Sequence, residues 1–153
     1  MTAPSSDIRE PGGKPDVSAV LFVCGMNSIR SPMAERLLKA MRGDRIYCDS
    51  AGAVSGEVDG FTLAVMEERG LGIPNHTPKS LDDLDDAYFD LIVTLSPEAH
   101  HRALDFAASA SIEVEYWPTM DPSTIAGTRE QVLDAYRQVR DTLEQKIRQR
   151  FGK

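Results

Sequence analysis

Ser18-Ala19-Val20-Leu21-Phe22-Val23-Cys24-Gly25-Met26-Asn27-Ser28-Ile29-Arg30-Ser31-Pro32 holds a strand, a loop and a helix start in one run. Ser18 to Cys24 is nearly continuous in apolar residues and includes β-branched members, the pattern of a strand buried on both faces of a parallel sheet. Pro32 reads as the first helical residue, where a missing N–H is harmless. Met33, Leu37, Leu38 and Met41 then recur at helical spacing.

Working outward, the spacing predicts a second strand over Arg45 to Asp49 and a third, carrying Leu91, Ile92 and Val93, over Asp90 to Leu95. Ile112 to Trp117 alternates, with Ile112, Val114 and Tyr116 on one face, and reads as an edge strand. Helices separate these strands. One runs over Phe61 to Arg69 and is stopped by Gly70. Ser96-Pro97 repeats the Ser-Pro start of the first helix. Thr128 and Gln131 form a capping box, and Val132, Tyr136, Val139, Leu143 and Ile147 give the last helix an apolar stripe. Strands alternating with helices imply right-handed crossovers and a parallel sheet covered on both sides. Ligands in such α/β folds sit outside the carboxyl ends of the strands, which directs attention to Cys24.

The 153 residues are the length of one domain, 41% hydrophobic and 27% charged. No apolar run approaches the ~20 residues that span a bilayer. Residues 1–17 are rich in Pro, Gly, Ser and Asp and lack the hydrophobic stretch of a secretory signal, so they are expected to be a disordered leader before a single domain over 18–153. A net charge of −7, from 24 acidic against 17 basic residues, argues against general nucleic-acid binding. Two cysteines offer no disulfide framework and suit a reducing, cytoplasmic compartment. The three histidines have no cysteine partners at zinc-ligand spacing. Adjacent His100 and His101 read as parts of a solvated helix face. Cys48, inside an apolar strand, reads as core.

The loop from Cys24 to Ser31 carries the chemistry. A loop entering a helix N-terminus turns unpaired backbone N–H groups inward, a nest for a tetrahedral oxyanion such as phosphate or arsenate. The amides of Gly25, Met26, Asn27, Ser28 and Ile29 would line it. At its floor Cys24 would be stabilised as the thiolate, the nucleophilic form. Arg30 offers a planar fork that grips two oxygens, which a lysine cannot reproduce. Gly25 and Asn27 tolerate the unusual backbone angles a tight cradle needs. The Ser31 hydroxyl can cap the helix or donate to the Cys24 sulfur.

These residues resemble the signature of the low-molecular-weight protein tyrosine phosphatase family, which includes related arsenate reductases. The resemblance runs from Val20-Leu21-Phe22-Val23-Cys24 through Asn27, Arg30-Ser31-Pro32 and Met33-Ala34-Glu35. It continues through Asp49-Ser50-Ala51-Gly52, Gly72-Ile73-Pro74, His76 and Asp121-Pro122. It implies a flavodoxin-like α/β fold of three layers, a four-stranded parallel sheet flanked by helices. It also implies a phosphomonoester hydrolase acting through a phosphocysteine, with Cys24 as nucleophile, Arg30 and the loop amides holding the anion, and Asp121 as proton donor and then base. Ser50 and His76 would hydrogen-bond Asn27 and keep the loop in shape. No metal or other cofactor is implied, and the expected partner is a phosphorylated protein or a small phosphomonoester.

Two departures bear on substrate. Family members with an aromatic slot carry rings just after Asp-Pro, where this chain has Ser123 and Thr124; Phe61, Tyr116 and Trp117 are the rings left to supply a wall. The thioredoxin-coupled arsenate reductases relay through two further cysteines, one placed where this chain has Ser96 and the other near Ala103. The alternative reading is therefore arsenate reduction with an external thiol or a glutaredoxin-type reductant.

Overall fold

β1 (Ala19–Cys24) lies between two parallel neighbours and explains why its sequence is apolar throughout. Val20 and Phe22 point to one side of the sheet and Leu21 and Val23 to the other, and all four are fully buried. The computed structural model describes residues 17–54, 56–73, 76–84, 89–108 and 112–152. Apart from Val17, which packs against the core, the expected leader lies outside the described residues.

After β1 come α1 (Arg30–Arg42), β2 (Tyr47–Gly52), α2 (Gly60–Glu67), β3 (Leu91–Thr94), α3 (Pro97–Ala107), β4 (Glu113–Tyr116) and α4 (Arg129–Phe151). Short 3₁₀ turns occupy Leu81–Asp83 and Pro122–Thr124. The four strands form one all-parallel sheet in the order β2-β1-β3-β4, the α/β architecture read from the sequence. On one face Met33, Leu37 and Leu38 of α1 pack with Tyr136, Val139, Leu143 and Ile147 of α4. On the other, Ala99, Ala103 and Ala107 of α3 lie against Leu21, Val23 and Ile92. Among the described residues no helix is long and apolar enough to cross a membrane.

Local sequence accounts for most element ends. Ser96 caps α3 by accepting from Ala99 N, with Pro97 just inside. Thr128 and Gln131 cap α4 reciprocally. Gly70 takes φ 71° just beyond α2, a conformation that disfavours side chains.

Four expectations are corrected. β2 starts later and ends later than Arg45 to Asp49, because Ser50, Ala51 and Gly52 continue the ladder opposite Phe22, Val23 and Cys24. α2 begins at Gly60, capped by Asp59, whose carboxylate accepts from the N–H groups of Phe61 and Thr62. α1 begins at Arg30 without a side-chain cap, so Pro32 is its third residue and Ser31 is buried inside its first turn. His100 is not on a freely solvated face: its Nδ1 lies 2.9 Å from Thr94 Oγ1 and its ring stacks on Tyr116.

Candidate active site

Cys24 closes β1 with 2% of its surface exposed, and the chain then turns through Gly25 to Ile29 into α1. Four carbonyls at this turn are satisfied from the segment that follows β2. Cys24, Gly25, Met26 and Ser28 accept from the N–H groups of Ala53, Val54, Gly56 and Asp59 at 2.9–3.1 Å. Among the described residues the N–H groups of Met26 to Arg30 find no protein acceptor. Carbonyls out and amides in is the polarity of an anion cradle. Gly52 makes this close approach possible, since a Cβ there would stand 2.7 Å from Asn27 N.

The strained residue is Asn27, at φ 58°, rather than Gly25. Asparagine is among the few types that accept this geometry, and here the side chain is fully bonded. Asn27 Nδ2 donates to Ser31 Oγ (2.8 Å) and Ser50 Oγ (2.9 Å). Its Oδ1 accepts from Lys79 N (3.0 Å) and from His76 Nε2 (3.1 Å). Because Oδ1 can only accept, Nε2 carries the His76 proton. Gly25 is constrained differently: a Cβ there would lie 2.9 Å from the Glu98 carboxylate.

Two groups of Ser31 approach the sulfur. Ser31 Oγ lies 3.0 Å from Cys24 Sγ and Ser31 N lies 3.4 Å from it. Since Asn27 already donates to Ser31 Oγ, the hydroxyl proton is left for Sγ or for Ala51 O (3.3 Å). Of the two uses open to Ser31, it is the contact with sulfur that forms. Arg30 is steered by main-chain carbonyls from two distant loops: Nη1 donates to Thr119 O (2.8 Å) and Leu95 O (3.4 Å). Its Nη2 is 3.9 Å from Asp121 Oδ2. Asp121 Oδ1 caps the following turn by accepting from Ser123 N and Ser123 Oγ, leaving Oδ2 as the oxygen on the arginine side.

Behind the loop, Ser50 Oγ donates to Glu35 Oε1 (2.5 Å), Lys39 Nζ pairs with Oε2 (2.6 Å), and His76 Nδ1 is 3.7 Å from Oε1. Glu35 is a site residue that the sequence reading lacks, although its position four residues after Ser31 sets both on one helix face. Burial pushes His76 below its ordinary value, with the Glu35 carboxylate opposing. Cys48 is a core thiol pushed up to about 12 by burial, with the Glu35 charge adding to the effect. The three candidate rings are committed elsewhere: Phe61 to Tyr136, Trp117 to Phe22 and Phe151, and Tyr116 to His100. Among the described residues no group of three or more His, Cys, Asp or Glu could hold a metal ion.

Fold and loop together define a class: α/β proteins with a cysteine at the floor of an amide-lined oxyanion cradle entering a helix. The sequence model described as low molecular weight phosphotyrosine protein phosphatase matches residues 19–153. The chain belongs to that family. It is 30% identical over 132 residues to the arsenate reductase of Bacillus subtilis, covering 85% of this chain and 92% of that protein. It is 27% identical over 134 residues to the glutaredoxin arsenate reductase of Synechocystis, covering 88% and 96% respectively. An arsenate reductase structure in the phosphate-binding state superposes with a TM-score of 0.69 at 27% identity, covering 86% of this chain and 95% of that one. A tyrosine phosphatase from Erwinia amylovora shares the fold, with a TM-score of 0.69 at 24% identity over 87% and 90% of the two chains.

Proposed function

We propose that the chain is a phosphomonoester hydrolase working through a phosphocysteine at Cys24. The supporting observation is that Cys24 Sγ lies 3.0 Å from Ser31 Oγ at a loop whose N–H groups are unpaired and which enters α1 at Arg30, with Asp121 Oδ2 3.9 Å from the Arg30 fork, the groups that phosphoryl transfer needs. Sγ attacks phosphorus, the P–S bond forms and the ester P–O bond breaks, while protonated Asp121 gives its proton to the leaving oxygen. Water then attacks phosphorus, passing a proton back to the Asp121 carboxylate, and the P–S bond breaks. In this reading the loop of Gly25, Met26, Asn27, Ser28 and Ile29 surrounds the transferring group, the unpaired N–H groups of Met26 to Arg30 hold its oxygens, and Ser31, beside the sulfur, eases its departure. Ser50 and His76 act through Asn27, as positioning residues. The substrate is a phosphorylated protein or small phosphomonoester in a reducing, cytoplasmic setting, and the occupied rings argue against a stacked tyrosine slot.

The second reading, arsenate reduction, is favoured by the names of the curated relatives. In this chain it would require an outside thiol. Ser96, where the relay cysteine of thioredoxin-coupled enzymes would stand, is buried as the cap of α3. Cys48 is registered opposite Val20, four residues along β1 from Cys24, or roughly 13 Å at the rise of a strand. Disulfide partners need Cα atoms within about 7 Å.

One series tests both readings: aryl phosphate alone, and arsenate with glutathione and a glutaredoxin. We expect aryl phosphate turnover with a trappable phosphoenzyme, both absent from Cys24→Ser. Arsenite formation without phosphatase turnover would replace the first reading with the second.

A further inference from the structure

Asn27 fixes the first half of the Cys24 loop through its side chain, but the half that enters α1 is held differently. α1 has no side-chain cap at its start. Ser28 is tied instead through its main chain, its carbonyl accepting from Asp59 N at 3.0 Å. A trans peptide unit is planar, with its C=O and N–H pointing in opposite directions. Ser28 O and Ile29 N–H share one such unit, so anchoring the carbonyl on Asp59 turns the Ile29 N–H to the other side of the loop. Ile29 N–H is one of the amides with no protein acceptor among the described residues.

Asp59 is kept in place by its own side chain. Its carboxylate caps α2, with Oδ2 accepting from Phe61 N (2.9 Å) and Thr62 N (3.2 Å). A further tie comes from α4. Tyr136 is 1% exposed, its ring centroid lies 5.3 Å from that of Phe61, and its hydroxyl bonds the Asp59 carboxylate. A carboxylate only accepts, so the phenol is the donor. Burial first, and then the charge and bond of Asp59, hold that phenol above its ordinary value, so it keeps its proton. Tyr136 belongs to the same core as Met33, Leu37 and Leu38 of α1. A continuous strut thus runs from α4 through Asp59 to the loop that opens α1.

We infer that Asp59 and Tyr136 are positioning residues for the oxyanion loop: the Tyr136 hydroxyl steadies the Asp59 carboxylate, and Asp59 N in turn aims the Ile29 amide at the bound anion. The inference rests on the reading of the Cys24 loop as an oxyanion site. Neither side chain is assigned a contact with the reacting atoms.

Protection of Cys24 by inorganic phosphate tests the strut without any turnover. The rate at which iodoacetate alkylates Cys24 is followed at rising phosphate, and the protection curve gives a dissociation constant. Tyr136→Phe keeps the ring against Phe61 and removes only the hydroxyl. We expect phosphate affinity at least about fivefold weaker in Tyr136→Phe and in Asp59→Ala, and within about twofold of wild type in Asp59→Asn, which retains an oxygen for the α2 amides and an NH₂ group for the Tyr136 oxygen. Should Asp59→Ala fold poorly, Tyr136→Phe and Asp59→Asn decide the matter. Arg140→Met is the control for mere loosening, because it releases Val65 O and Glu68 at the other end of α2. It should lower the melting temperature while phosphate protects Cys24 as in wild type. Unchanged protection in Tyr136→Phe overturns the inference, and so does an equal loss in Arg140→Met, which would reduce the strut to general packing of α2 on α4. Wild-type Cys24 left unprotected by phosphate would instead remove the oxyanion reading of the loop, and the inference with it, so the two failures are told apart.

Discussion

Replacing Asn27 tests the loop at its most constrained point. Asn27 is 0% exposed, stands at φ 58° and makes four side-chain hydrogen bonds, to Ser31, Ser50, Lys79 and His76. Each is worth about 1 kcal/mol net, so truncating the amide forfeits about 4 kcal/mol. Asparagine and alanine both carry the Cβ that crowds the carbonyl in this backbone region, a cost of about 1 kcal/mol that glycine escapes. A loss of about 4 kcal/mol approaches the whole stability of a marginal domain. Glycine loses the same bonds without the conformational penalty. Asn27→Gly is therefore more stable than Asn27→Ala by about 1 kcal/mol, the reverse of the order at ordinary positions. Urea unfolding followed by Trp117 fluorescence measures the difference. With a slope of about 2 kcal/mol per molar, the glycine midpoint lies about 0.5 M above the alanine midpoint. An alanine variant that unfolds at or above the glycine variant would refute the account of Asn27 as a strained and fully bonded strut.

Other outcomes follow from the same geometry. Asp121→Asn slows hydrolysis of alkyl phosphates by about a hundredfold or more, but that of an activated aryl phosphate far less, because only the poor leaving group needs a proton; equal losses across leaving groups in steady-state rates would remove Asp121 as the acid. Iodoacetamide on the folded protein labels Cys24 and spares Cys48 until urea is added, as peptide mass spectrometry reads directly: both thiols are buried, but Cys48 is pushed up to about 12 while Cys24 Sγ meets the Ser31 hydroxyl and N–H at the amide-lined loop. His76, held by burial below its ordinary value, binds its proton less readily folded than unfolded. Its contribution is thus complete above about pH 6.5 and is lost as pH falls further, so the melting temperature of His76→Gln declines less steeply than wild type on acidification. Arg140→Met strips the donor from Val65 O (2.8 Å) and the ion pair from Glu68 (3.0 Å), loosening α2 from α4, and lowers the urea midpoint of unfolding.

How much could be read in advance depended on how local each signal is. The apolar run of β1, the Ser96-Pro97 start and the Thr128–Gln131 box concern neighbours along the chain, and all three stand where the residues place them. The Asn27 contacts with Ser50 and His76 were expected from family resemblance, and the distances bring those side chains together. The end of β2 lies beyond the expected Asp49 because Ser50, Ala51 and Gly52, which have little intrinsic strand preference, pair with the β1 beside them. His100 departs from the solvated-face expectation because its partners, Thr94 and Tyr116, sit on other elements.

By itself the sequence determined the alternation of strands and helices and the presence of a cysteine and an arginine in one loop between the first strand and its helix. Hydrophobic period, caps and breakers act over a few residues, and the chain order carries them. Only the tertiary structure decided which side chain serves Ser31, how Glu35 backs the loop, and what aims Arg30. Its acceptors, Leu95 and Thr119, are 65 and 89 residues away in sequence. They meet it because β3 packs directly beside β1, with β4 next in the sheet, an order set by burial of whole faces and not by any local pattern.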